Sequence, residues 1–328
     1  MTEFRTIVEV RKSSILTEHE QGILLCGSCF AEHIGAKLLR YKFNALVNPA
    51  GVLYNPASIN NCLSRLIDGR EVDKTEFTQS GGVWRHFDFH GSYGDIDLNR
   101  AVEKVNQAIK VGNLFLTSLK HLVISWGTVW IYRLKDTGML VSNCHKKPKK
   151  DFDRLSLNLK DVVSETAAIL EKLKTISPHL RVILTVSPVR HWKDGPVENM
   201  RSKATLISAV RELIAILNYV EYFPAFEIMM DDLRDYRFYA KDMIHPGEMA
   251  VDYIWNRFET AYLSDKSREI LSEIEKIMRC VEHRALHPGS REDRDFVNSS
   301  IRLMRELYEK HEFLDFSQEK TILKERNN

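Results

Sequence analysis

Three short apolar runs constrain this chain more than any other feature. GILLCG (Gly22–Gly27), HLVISWGT (His121–Thr128) and RVILTVSPV (Arg181–Val189) are each long enough for a strand, too short for a helix, and closed by glycine, serine or proline. A strand apolar at every position must be covered on both faces, which an antiparallel sheet with one wet face does not do. The segments between these runs supply the covering. FAEHIGAKLLR carries helical spacing at Phe30, Ile34, Leu38 and Leu39, and a second helix starts at Pro56 with Ile59, Leu63, Leu66 and Ile67 on one stripe. Helical patterns recur at 98–119, 156–176, 198–217 and 247–263. FNALVNPAG (Phe43–Gly51) and YVEYFPAFEIM (Tyr219–Met229) read as the second and fifth strands. Alternation of this kind predicts a mostly parallel five-stranded sheet with right-handed crossovers and helices on both faces.

Two stretches interrupt the alternation. Residues 71–97 are rich in glycine and aromatics and read as an irregular insertion, and 129–145 reads as a hairpin turning at Asp136-Thr137-Gly138. Beyond Ser264 the strand signal stops, and two highly charged amphipathic patterns follow. The expected organisation is therefore an α/β domain over 1–263 and a helical extension over 264–328, whose amphipathic helices are a surface for pairing between copies.

Composition removes several classes of function. With 47 Lys and Arg against 45 Asp and Glu the chain carries +2 formally, so no nucleic-acid partner is expected, and KKPKK at 146–150 reads as a solvated loop. No run of 18 apolar residues exists, so no membrane partner is expected. MTEFRTIVEVRKSS lacks an apolar signal core, and five cysteines without framework spacing suit a reducing compartment. A cytoplasmic location is expected.

Ligands in such sheets bind beyond the carboxyl ends of the strands. Ser28, the segment 48–55, Gly127 and 187–191 all follow strand ends. Within CGSC, two readings compete. Cys26 and Cys29 have the CxxC spacing of a redox pair or half a zinc site, but Cys62, Cys144 and Cys280 are isolated and complete neither. Ser28 follows a glycine that permits a tight strand-to-helix turn, beside free N–H groups and the positive end of the helix dipole. A helix cap is the plain alternative for that serine. A hydroxyl nucleophile needs a base with an orienting acid. Of the 12 histidines, His245 alone has an aspartate three residues before it, in Asp242-Met243-Ile244-His245-Pro246, placed after the fifth strand and before the last core helix.

Ser28 after the first strand, with DxxH after the fifth, resembles the SGNH (GDSL-type) hydrolase superfamily. Gly27-Ser28-Cys29-Phe30-Ala31 spells the signature of the GSCFA domain family, a bacterial branch of it. The similarity continues through NPAGVLYNPASI (48–59), VSNCHKKP (141–148), TVSPVRHWKDG (185–195), ENMRSKA (198–204) and YFPAFEIMMDDLRDYRFYAKDMIHP (222–246), covering about 25–258. It implies a three-layer α/β/α fold of SGNH/flavodoxin-like type and a Ser28–His245–Asp242 triad. It also implies an oxyanion hole built from the N–H groups of Ser28 and Gly51 and from an asparagine. That asparagine normally stands in GxND, but the chain reads Gly127-Thr128-Val129-Trp130. Asn143 on the hairpin is the candidate substitute, with Asn48 and Asn55 as rivals.

Asn55, Arg190 and His191, with Lys193 nearby, are candidate substrate contacts. His86, His90 and His145 show no ligand spacing, so no metal and no cofactor are expected. Trp84, Trp126 and Trp130 suit either a carbohydrate platform or the core. The function these residues suggest is a serine ester hydrolase acting on a small-molecule or carbohydrate ester through an acyl-enzyme. Alternatives are transfer of the acyl group to a sugar hydroxyl, and a non-catalytic partner-binding protein on this fold.

Overall fold

The structure is a computed structural model and describes residues 6–325. Its centre is a five-stranded, wholly parallel sheet of β1 (Gly22–Gly27), β2 (Ala45–Val47), β5 (Leu119–Trp126), β9 (Arg181–Val186) and β10 (Val220–Phe223). The spatial order is β10-β9-β5-β1-β2. Counting only these strands, that is 2-1-3-4-5, the doubly wound order whose switch point lies between its first and third strands. Here the switch point is the gap between the ends of β1 and β5.

Period-2 alternation divides the strands between two cores. Leu24, Cys26, Leu122, Ile124, Val182 and Leu184 face one layer, with α2 (Pro56–Asp68), α3 (Leu98–Phe115), α4 (Leu159–Ile176) and α5 (Gly195–Ile216). Ile23, Leu25, Val123 and Ile183 face the other, with α1 (Cys29–Arg40) and α7 (Glu248–Tyr262). This is a three-layer α/β/α fold. The same second core takes in α8 (Asp265–Glu282), α9 (Arg291–Lys310) and α10 (Ser317–Glu325) through Ile270, Ile274, Val297, Met304 and Leu323. Lys42 meets Glu319 at 2.6 Å and Tyr41 donates to Glu275 at 2.9 Å, tying these helices to the end of α1. Their apolar faces are thus buried within the chain.

The interruptions are more ordered than the sequence suggests. The stretch read as irregular contains an antiparallel hairpin, β3 (Phe77–Ser80) with β4 (Val83–His86), turning through Gly81 and Gly82 at φ of 59° and 76°. Two positive φ angles are what a two-residue primed turn requires. The hairpin of β6 (Trp130–Leu134) and β7 (Leu140–Val141) gains a third strand, β8 (Phe152–Ser156), from residues near the start expected for α4. After β10, a single turn α6 (Ala225–Glu227) runs into a π-helical turn over Ile228–Asp232. No helix among the described residues is long and apolar enough to cross a membrane.

β1 ends in a conformation that only glycine tolerates. Gly27 has φ of 144°, and a Cβ there would lie 2.2 Å from the Ser125 carbonyl oxygen. Gly27→Ala is therefore expected to destabilise the fold by on the order of 3 kcal/mol, combining backbone strain with a backbone clash. Urea unfolding followed by circular dichroism measures it, and a loss under about 1 kcal/mol would contradict the account.

Candidate active site

Ser28 begins α1 in extended geometry, with φ of −70° and ψ of 175°, and its Oγ accepts from the Phe30 N–H at 3.3 Å. It is therefore the helix cap. The same Oγ shares a 2.9 Å hydrogen bond with Ser125 Oγ, while the Ser28 N–H donates to the Ser125 carbonyl at 3.1 Å. Ser28 is 2 % exposed. Its opening to the surroundings is a cavity of about 30 Å³, room for one water, lined by Ser28, Cys29, Tyr54, Gly127, Ser187, Val189 and His191. These residues come from the ends of β1, β5 and β9 and from the loop after β2, the switch point of the sheet.

The second half of the candidate triad lies on the loop before α7. His245 Nδ1 is 2.6 Å from Asp242 Oδ2, and Asp242 Oδ1 accepts the N–H groups of Ile244 and His245, each at 3.0 Å. Met243, at φ of 58°, makes the tight reversal that permits this. Those backbone bonds, first to His245 and then to Ile244, together with the imidazole, hold the Asp242 carboxyl down at about 2. The loop is pinned by Ala240 N–H on the His245 carbonyl and Gly247 N–H on the Phe238 carbonyl. It sits against the flank of α1: Pro246, which follows His245, lines a cavity with His33, Ala36 and Lys37 of that helix, and burial pushes His33 below the usual histidine range.

No hydrogen bond joins Ser28 to His245 in this structure. The imidazole that lines the cavity with Ser28 is that of His191, which burial pushes towards its neutral form. The expected oxyanion donors lie elsewhere or are engaged. Gly51 N–H donates to the Asn48 carbonyl at 2.7 Å, Asn143 Nδ2 to the Phe89 carbonyl at 3.1 Å, and neither residue lines the cavity. Asn48 Oδ1 accepts from the Gly27 N–H, and Asn55 caps α2. Val129, in the place of the family asparagine, is buried in the core with its N–H on Ser202 Oγ. Cys29, which also lines the opening, is the first residue of α1, so its N–H has no intrahelical acceptor.

The remaining candidates are dispersed. Arg190 faces a second, larger cavity with Trp192. Lys193 lies over the Tyr132 ring. Trp126 is wholly buried, and Trp130 is covered by the Arg154 guanidinium at 4.0 Å. Cys26 is paired in space with Cys62 rather than Cys29, and that contact, with burial, raises its thiol well above the usual range. Cys29 instead meets the Tyr54 hydroxyl at 3.8 Å. His145 Nε2 contacts the His86 carbonyl at 2.8 Å, and the described residues hold no group of three side chains suited to a metal.

Sequence reasoning did not single out Lys203, although ENMRSKA contains it. It is fully buried, and Nζ donates at 2.7 Å to the carbonyl of Ser187, a wall residue of the Ser28 cavity. Burial first, then Arg190, lowers its pKa from 10.5 to about 7, against the pull of Glu227. Between these two values the unfolded chain holds the proton and the folded chain does not, so this residue makes stability rise with pH across that window. Lys203→Met removes that dependence. Thermal melts at pH 6 and pH 9.5 should show the variant comparing worse with the parent at the higher pH; a constant difference would contradict a buried titrating amine.

The family model described as GSCFA family matches residues 22–258, well over half of the chain, and the model described as the C-terminal domain of GSCFA domain proteins matches 274–328. No curated protein matches the chain. Among solved structures, one described as a candidate platelet activating factor from Streptococcus pneumonia shares 12 % identity over 73 % of this chain and 83 % of that one, at a TM-score of 0.39. With its signature at the switch point of the sheet and the two family models spanning most of its length, this chain belongs to the GSCFA family.

Proposed function

We propose that the chain is a serine ester hydrolase of the SGNH type, with Ser28 as nucleophile, His245 as general base and Asp242 as its orienting acid. The observation that carries this is the shared seat of the two halves. Ser28 caps α1 at the switch point, and the loop of the Asp242–His245 pair, whose side chains are 2.6 Å apart, meets the same helix where Pro246 and His33 line one cavity. Contacts between nucleophile and base in hydrolases often tighten only when substrate arrives.

In the reaction, Ser28 Oγ attacks the ester carbonyl as its proton passes to His245 Nε2. The oxyanion forms against the positive end of α1, where the Cys29 N–H is the free donor. His245 then gives the proton to the departing alkoxide, leaving an acyl-serine. Water repeats the cycle in reverse order and frees the acid. Asp242 stays ionised throughout, holding the imidazole tautomer. His191 shapes the cavity in this scheme; among the described residues, no carboxylate accepts a hydrogen bond from its ring.

One observation favours the competing reading, a capping serine on a non-catalytic fold: Ser28 Oγ is buried and already bonded to Phe30 and Ser125. A fluorophosphonate probe decides between them, since an activated Ser28 is modified and a cap is not. Ser28→Ala and His245→Ala should each lower kcat on a short-chain aryl ester roughly a thousandfold or more, while His191→Ala leaves kcat within about tenfold. Loss of turnover in His191→Ala with retention in His245→Ala would reassign the base, and an unlabelled Ser28 would sink the hydrolase reading.

A further inference from the structure

The loop after β9 alternates between two cavities. Val189 and His191 face Ser28, whereas Arg190 and Trp192 face a chamber of about 470 Å³. That size falls within the usual range for small-molecule sites. Its walls are Met229, Met230 and Leu233, from the π-helical turn and just beyond it, with Tyr239 and with Met243 and Ile244 of the Asp242–His245 loop. Thioethers and a leucine make an adaptable apolar lining, and π-helical turns recur at functional sites.

Charge within the chamber is almost entirely cancelled. Arg234 pairs with Asp231 at 2.5 Å, Asp235 with Arg237 at 3.2 Å, and Asp242 with His245. Arg190 is the exception. Among the described residues no carboxylate pairs with it, its buried Nε has no acceptor, and its guanidinium lies 4.9 Å over the Trp192 ring. The free cation therefore stands on the loop whose alternate residues Val189 and His191 line the Ser28 cavity, and it lines the chamber together with those apolar side chains. Arg234, Asp235 and Asp242, which also line the chamber, are engaged in those ion pairs, while Met229, Met230, Leu233, Met243 and Ile244 offer apolar contact rather than hydrogen bonds. A linear chain with its polar end at Arg190 satisfies both the cation and the apolar walls.

We propose that this chamber binds the acyl chain of the substrate, with Arg190 at its carboxyl end, so that medium-chain acyl esters are the substrate class. The proposal rests on the hydrolase reading for its chemistry, but its geometry is testable without turnover. With p-nitrophenyl acetate, butanoate and octanoate, kcat/KM should rise about fourfold per methylene until the chamber is filled. Met230→Trp should collapse the octanoyl-to-acetyl ratio at least about tenfold, and Met230→Ala should move the optimum to longer chains. Binding of sodium octanoate to Ser28→Ala protein, followed by calorimetry, should weaken about tenfold when Arg190→Ala is added and be lost with Met230→Trp. Serine-dependent turnover with a flat chain-length profile overturns the chamber and leaves the hydrolase reading standing. Octanoate binding that depends on Met230 and Arg190, without any turnover, keeps the chamber and removes the hydrolase. Octanoate binding that neither substitution changes overturns the chamber.

Discussion

The carbonyl oxygen of Ser125 occupies the space where a side chain on Gly27 would have to be. This close approach of β1 to β5 fixes the geometry of the switch point. Gly27 N–H is held by Asn48 Oδ1 at 2.8 Å, and its carbonyl accepts the Leu53 N–H at 2.9 Å. The end of β1 is thus clamped from β5 on one side and from the loop after β2 on the other. Ser28 is consequently fixed by backbone before its side chain makes any bond. Its hydroxyl caps α1 through the Phe30 N–H and shares a hydrogen bond with Ser125 Oγ, at the wall of the small cavity.

How much of this was legible in the sequence follows from where burial left a pattern. β1, β5 and β9 are continuous apolar runs because both faces are covered, and their partner helices show their stripes for the same reason. β8, FDRLS, was not legible: only Phe152 of its five residues is buried, so no alternation survives. The β3–β4 hairpin carried its signal in Gly81-Gly82 between Phe77 and Trp84, but in a glycine-rich stretch it read as irregular. At the site, Ser28 and the Asp242–His245 pair are local features, visible as a glycine-serine turn and a three-residue spacing. Gly51 and Asn143 depended on where loops fold in space, and each turned out to bond elsewhere. Lys203 was the least legible of all, since a lysine on a helix reads as solvated until its burial is seen.

That lysine belongs to a set that holds the strand-end loops in place. Asn199, Ser202 and Lys203 lie on one face of α5, at i, i+3 and i+4, and all three are buried. Ser202 Oγ accepts the Val129 N–H and meets Thr128 Oγ1, fixing the loop after β5. Asn199 Oδ1 accepts the His191 N–H, and Lys203 Nζ donates to the Ser187 carbonyl, fixing the loop after β9 at both ends. Between those anchors, Val189 N–H bonds Ser187 Oγ and Arg190 N–H bonds the Ile244 carbonyl of the histidine loop.

A segment pinned at nearly every residue keeps its side chains on assigned sides. Ser187, Val189 and His191 line the Ser28 cavity and Arg190 and Trp192 the larger chamber, a division set by the backbone. The same Arg190–Ile244 bond couples that segment to the loop carrying Asp242 and His245. The loop after β9 and the loop carrying Asp242 and His245 are thus joined by backbone, and the face of α5 that carries Asn199, Ser202 and Lys203 is the support that holds the first of them in place.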